Sequence, residues 1–143
     1  MGLTRRQVYI ANILKCRPPG NRNPSPNEAA ACLPYLRRQI EIIRPKVIIS
    51  LGLVAATHLL DLPPTTAVKD LRGRILEFAA TPVVVTYHPA ALLRNPSLKA
   101  PTWQDVQVAL KLLSGEIKWE PKQKEAVFKT VRDAPNVETA NLL

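Results

Sequence analysis

Residues 44–52 read RPKVIISLG. Lys46–Leu51 is a β-branched, apolar run, the pattern of a strand buried on both faces, as in a parallel sheet. Arg44-Pro45 ends whatever helix precedes it, because the residue before a proline is pushed away from helical conformation. Gly52 then turns the chain into a short helix expected over Leu53–Leu60. A strand leading through one glycine into a helix predicts a layered α/β unit.

The flanks extend that pattern. Val8–Leu14 is a short apolar run with Val, Tyr and Ile, and reads as another buried strand. Cys16–Pro26 holds four prolines, one glycine and two asparagines, which makes it a loop. Ser25-Pro26-Asn27-Glu28 is a helix start: Ser25 suits the N-cap, Pro26 the first turn, and Glu28 closes a capping box. That helix is expected to run to about Ile43, with Ala31, Leu36, Ile40 and Ile43 inward and Pro34 tightening or kinking one turn. Beyond the central strand, Asp61–Lys69 reads as a loop. Arg74–Phe78 and Pro82–Thr86 read as short strands around a turn at Ala79–Thr81. Tyr87–Ala100 reads as a loop, and Thr102 as the cap of a last helix reaching Leu113, with Asp105 at its third position and Gly115 just past its end. Strands alternating with helices predict a three-layer α/β/α domain with a mainly parallel sheet over residues 1–115. Residues 116–143 form a polar, weakly periodic tail, with one helix expected near 122–131 and the rest open to disorder.

The chain has 143 residues, of which 20 are Lys or Arg and 11 are Asp or Glu, for a formal charge of +9. Such an excess favours a polyanionic partner, the alternative being simple solvation. The longest apolar run, 47–57, is shorter than the ~20 residues that span a bilayer. MGLTRRQVYIANI lacks the long apolar core of a signal peptide. The expectation is a soluble, cytoplasmic protein of prokaryotic type without a membrane partner. In that compartment the two cysteines, Cys16 and Cys32, suit a metal site or ordinary buried thiols better than a disulfide.

Ligands of open α/β sheets bind outside the carboxyl ends of the strands. Asn12 with the Cys16 loop, Gly52, and His88 all follow expected strands. The segments YIANILKCRPPGNRNP, ACLPYLRRQI, RPKVIISLG and TYHPAALLRNP carry a resemblance. In order and at similar spacing, over roughly 1–114, they resemble the iron–sulfur (type 4) uracil-DNA glycosylases. N-x-x-x-C-R-P-P and H-P-A-x-L-L-R-N are specific in combination.

The resemblance implies a uracil-DNA glycosylase fold, removal of uracil from DNA in base-excision repair, and a monomer in the full-length form. It implies that Asn12 reads uracil: an amide donating to O4 and accepting from N3–H meets the reverse pattern on cytosine. It implies that His88 is catalytic, donating to uracil O2 as the base departs with negative charge. Leu92, with Leu93 next, becomes the wedge that fills the stack after the base is flipped out. Arg94, Arg17 and Arg22 become phosphate contacts, and Asn95 either a phosphate contact or a brace for its own loop. Cys16 and Cys32 become two of the four thiolates of a [4Fe–4S] cluster that clips loop to helix. Without the resemblance each residue has a plainer role: a loop asparagine, a surface histidine, packed leucines, solvated arginines, buried thiols. His58 lies mid-helix and is expected to be structural.

The family also carries a Cys-x-x-Cys, a G-E-x-P-G motif with a water-orienting acid, and an aromatic that stacks on uracil. None is present in this sequence. Neither Asp70 nor Glu77 is an evident substitute for the acid. The expectation is a chain matching the C-terminal two-thirds of the family, with Met1 an internal start or the gene truncated, its first strand and helices missing, and little excision activity by itself. A DNA-binding module without catalysis is the alternative, or a fragment without function. A related group of DNA-polymerase-associated domains shares much of the pattern and leaves the exact base specificity open.

Overall fold

The computed structural model describes residues 1–122. A 3-10 turn at Arg5–Gln7 and another at Pro19–Asn21 precede helix α1 (Pro26–Ile43). Strand β1 (Ile48–Leu51), helix α2 (Leu53–Leu60), the one-turn helix α3 (Val68–Leu71) and the hairpin β2 (Ile75–Phe78) and β3 (Thr81–Thr86) follow. Helix α4 (Pro89–Arg94), a 3-10 turn at Pro96–Leu98 and helix α5 (Lys99–Ser114) complete the order.

The capping prediction for α1 holds in detail. Ser25 Oγ accepts from the Glu28 N–H at 3.3 Å, and Glu28 Oε2 accepts from the Ser25 N–H at 2.8 Å. Pro34 leaves α1 unbroken, and Arg44 ends it in the left-handed region at φ 48°. The buried stripe is Ala29, Leu33, Leu36 and Ile40. Of the residues expected inward, Leu36 and Ile40 pack in the core, whereas Ala31 and Ile43 are exposed.

The sheet has strand order β1-β3-β2, with β1 parallel and β2 antiparallel to β3. It is therefore mixed, with one pair of each kind. Ala79 and Ala80 take φ of 47° and 57°, the left-handed pair that a two-residue hairpin turn demands. Register separates the faces. Ile48, Val83 and Leu76 are cross-strand partners on one face, with Val85 two residues on. All four pack with residues of α1, α2 and α3, and with Ile13, in one core. The opposite face carries Val84 and Thr86 and is met by α5, whose Asp105 bonds Thr86. Helices thus cover both faces and the α/β/α layering stands, but the sheet is not mainly parallel as expected: the tight turn at Ala79-Ala80 folds β2 back on β3 as an antiparallel hairpin.

Four local expectations need correction. Val8–Leu14 is not a strand: it joins no ladder, Ile13 alone is buried, and Tyr9 and Ile10 are 57 % and 68 % exposed. An apolar pattern supplies side chains for a strand but not the neighbour that must pair with it. Second, β1 is a sheet edge and Leu51 is 42 % exposed. The strand covered on both faces is β3, all six residues of which are buried. Third, the expected loop 61–69 runs into α3, which starts at Val68, and the expected loop 87–100 holds α4. Fourth, α5 starts at Lys99 with Leu98 as its N-cap, so Thr102 is no cap. Pro101 sits in the first turn, where a missing N–H costs no helical bond.

Among the described residues no helix is long and apolar enough to cross a membrane. The helix expected near 122–131 lies almost wholly outside the described residues.

Candidate functional site

Two stations carry the residues that the sequence singles out. The first is the loop before α1. Asn12, Leu14, Lys15, Cys16, Arg17 and Pro18 line an open depression of about 440 Å³. Ile13, buried in the core, pins the segment from within. Lys15, which the sequence reading passed over, ties the loop to α1. Its Nζ donates to the Asn12 carbonyl at 3.0 Å and to Gln39 Oε1 at 2.8 Å. Its backbone N–H donates to Cys32 Sγ at 3.4 Å. The only sequence signal for Lys15 was its place between Asn12 and Cys16. Among the described residues the Asn12 side-chain amide makes no hydrogen bond, which leaves both its ends available on the depression.

The arginines of this loop are not equivalent. Arg22 grips Glu28 with both Nη atoms, at 2.7 and 2.8 Å. The Arg22 hydrogen bonds, together with the Ser25 N–H, pull the Glu28 carboxyl down to about 2. Arg22 therefore fastens the loop to the start of α1. Arg17 Nε donates to Asn21 Oδ1 within the loop. Asp70 and Glu77 do not line the depression, and Glu77 accepts from the Lys122 N–H at 2.8 Å.

Cys16 is exposed and Cys32, on α1, is half-buried; both are free thiols. The Lys15 N–H donates to Cys32 Sγ next to Cys16 in sequence, so loop and helix thiols belong to one neighbourhood. A four-iron cluster takes four thiolates. Among the described residues no group of three or more His, Cys, Asp or Glu is arranged to hold a metal. The two thiols fit half of such a ligand set, and the other described residues do not complete it.

The second station is the carboxyl end of β1 and β3. Gly52 donates its N–H to the Thr86 carbonyl at 2.8 Å and takes φ 88°, ψ 172°. That conformation belongs essentially to glycine. His88, two residues after β3, is exposed and is the N-cap of α4. Its Nδ1 accepts from the Ala90 N–H at 3.1 Å. With that lone pair engaged, the neutral ring carries its proton on Nε2, which is left as a donor. Ala90 is the second residue of α4, the usual donor to an N-cap side chain, and Pro89 at the first position lacks only an N–H that the helix does not use.

Helix α4 orders the rest. Leu93 is 83 % exposed while Leu92 is half-buried, the reverse of the order expected for a wedge. Arg94 is exposed in the last turn. Asn95 Oδ1 accepts from Ser97 N–H at 3.2 Å and from Ser97 Oγ at 2.6 Å, bracing its own loop. His58 sits mid-way along α2, half-buried. The structure thus groups Asn12, Cys16 and Arg17 at one station and His88 with Leu92–Asn95 at the other. His88 is not among the residues lining the depression.

Comparison with known proteins adds an independent finding. The profile of the uracil DNA glycosylase superfamily matches residues 1–108. The type-4 uracil-DNA glycosylase of Pyrobaculum aerophilum is 44 % identical over 112 residues, covering 74 % of this chain and 57 % of that protein. The type-4 enzyme of Archaeoglobus fulgidus is 46 % identical over 106 residues, 69 % of this chain and 53 % of its own. That of Thermotoga maritima is 41 % identical over 118 residues, 80 % of this chain and 61 % of its own. The chain spans a little over half the length of these relatives. With both motif loops inside the matched region, the chain belongs to the uracil DNA glycosylase superfamily.

Proposed function

We propose that this chain carries the base-reading and leaving-group stations of a uracil-DNA glycosylase of the iron–sulfur type. The observation that carries the reading is the hydrogen bond from the Ala90 N–H to His88 Nδ1, because it leaves Nε2–H as the donor that the departing base needs. In the reaction the C1′–N1 bond breaks and its electron pair leaves with uracil, delocalised towards O2. Water adds its oxygen to C1′, and the proton it releases balances the charge on the base. A donor held at O2 in the transition state acts as an oxyanion hole does. Asn12 supplies specificity: its free amide matches uracil O4 and N3–H and leaves unpaired polar groups against cytosine.

The remaining residues divide by what they already hold. Leu93, outward on α4, is the wedge for the vacated stack, ahead of the half-buried Leu92. Arg94 and Arg17 meet phosphates. Arg22 and Asn95 brace their loops. Cys16 and Cys32 are two ligands of a [4Fe–4S] cluster, with the Lys15 N–H on the Cys32 sulfur as a polar contact of the kind that cluster thiolates receive. With its other ligands supplied, such a cluster held by Cys16 and Cys32 would clip the loop to α1.

Uracil release from a uracil-containing oligonucleotide tests the reading. His88→Ala is expected to slow single-turnover release by about 10²–10³-fold, the cost of one oxyanion donor. Asn12→Ala is expected to lose uracil-over-cytosine discrimination. One observation favours a second reading: the lining of the depression includes no carboxylate to orient water. Salt-dependent DNA binding with no uracil release under any condition would establish a DNA-binding module and sink the enzyme.

A further inference from the structure

A polar cluster joins α3, α5 and the end of β3, the strand that leads into His88. Asp105 on α5 is 2 % exposed. Its Oδ2 accepts from Arg72 Nε at 2.6 Å and from Thr86 Oγ1 at 2.6 Å, and its Oδ1 accepts from Arg72 Nη2 at 3.1 Å. Arg72, the C-cap of α3, also donates to the Pro101 carbonyl in the first turn of α5. Its guanidinium lies over the Tyr87 ring, 4.9 Å from the centroid. Thr86 is fully buried, and its carbonyl takes the Gly52 N–H at 2.8 Å. Thr86 and Tyr87 are the two residues immediately before His88. One is fixed by hydroxyl and carbonyl together, the other by its ring under a paired arginine.

We infer that Arg72, Asp105 and Thr86 are positioning residues for His88. They set the direction in which β3 delivers the histidine, and hence where Nε2–H points. A buried carboxyl and guanidinium lose solvation that their attraction only partly returns, so an apolar set would hold the layers as well or better. What the polar set adds is direction: a guanidinium fork accepts one geometry at the carboxyl, and the hydroxyl and ring transfer it to consecutive residues of one strand end. A donor to a developing oxyanion needs that directional control, because a displacement of about 1 Å costs about 10²-fold in rate. The inference rests on the glycosylase reading only for its rate measurement.

The decisive variants are Thr86→Val, which keeps the shape and removes the hydroxyl, and Thr86→Ser, which restores it. Both leave the Arg72–Asp105 pair intact. The imidazole ¹H–¹⁵N NMR signals are read first, with His58, the other of the two histidines, as internal control. Thr86→Val is expected to shift the His88 ring signals and leave those of His58 in place, with Thr86→Ser returning them. Uracil release is expected to fall about tenfold or more in Thr86→Val. It is expected to fall no further when Thr86→Val is added to His88→Ala, since both act through one group. His88 signals identical in wild type and Thr86→Val would overturn the inference, as would additive rate losses. Failure of the wild type to release uracil is already expected of a chain without the family's water-orienting acid and bears on the glycosylase reading alone, and the ring signals would still decide this one.

Discussion

Gly52 and His88 approach so closely that a Cβ on the glycine would lie 3.1 Å from the histidine Cβ. The two residues end adjacent parallel strands, so the turn into α2 and the histidine share one packed corner. Gly52→Ala meets two obstacles there: a positive φ that side chains disfavour, and a contact tighter than carbon atoms normally make. The expected cost is about 1–3 kcal/mol of stability from backbone strain. Uracil release is expected to drop by more than the folded fraction does, because the displaced atom belongs to His88. Thermal melts and single-turnover assays on one preparation check this.

Acid weakens the fastening of the Cys16 loop. Glu28 is held at about 2 by Arg22 and by the Ser25 N–H, well below its ordinary 4.5. A lowered carboxyl pKa means that the unfolded chain takes up its proton first as pH falls. The contribution is therefore complete above pH ~4.5 and is lost as pH falls towards 2. Glu28→Gln removes the charge at every pH. The stability difference between wild type and Glu28→Gln is expected to be constant at neutral pH and to vanish between pH ~4.5 and 2. Urea melts across that range measure it.

The two leucines of α4 separate stability from function. Leu93→Ala removes an exposed side chain and is expected to leave the melting temperature within error. On duplex DNA it is expected to slow uracil release, with a much smaller effect on single-stranded substrate, where no stack needs filling. Leu92→Ala removes half-buried packing and is expected to cost about 1 kcal/mol or more. Equal effects of Leu93→Ala on both substrates would assign the wedge elsewhere.

Salt dependence distinguishes the arginines. Arg94 is exposed, whereas Arg22 is paired with Glu28. Arg94→Gln is expected to weaken DNA binding and reduce the slope of log K against log salt by about 1. Arg22→Gln is expected to leave that slope nearly unchanged and to lower stability instead. Fluorescence anisotropy over a salt series reads both.

What the sequence determined by itself is whatever local chemistry decides within a turn or two. Ser25, Pro26 and Glu28 set the start of α1, because a capping box needs no residue more than three positions away. Gly52 and the run 53–60 set α2 in the same manner. The motif loops around Asn12 and His88 were legible because their residues follow one another in the chain. Tertiary structure alone decided what depends on distant partners. Whether Val8–Leu14 forms a strand depends on a neighbour to pair with, and the central strand proved to be β3 because it alone is flanked on both sides. Asp105, which reads locally as a first-turn helix acid, is instead the buried partner of Arg72, 33 positions earlier. That Leu93 is exposed and Leu92 half-buried is read only from the folded chain. Spacing along a chain encodes the faces of an element. It does not encode which other element will meet them, and that meeting places Thr86, Tyr87 and finally His88.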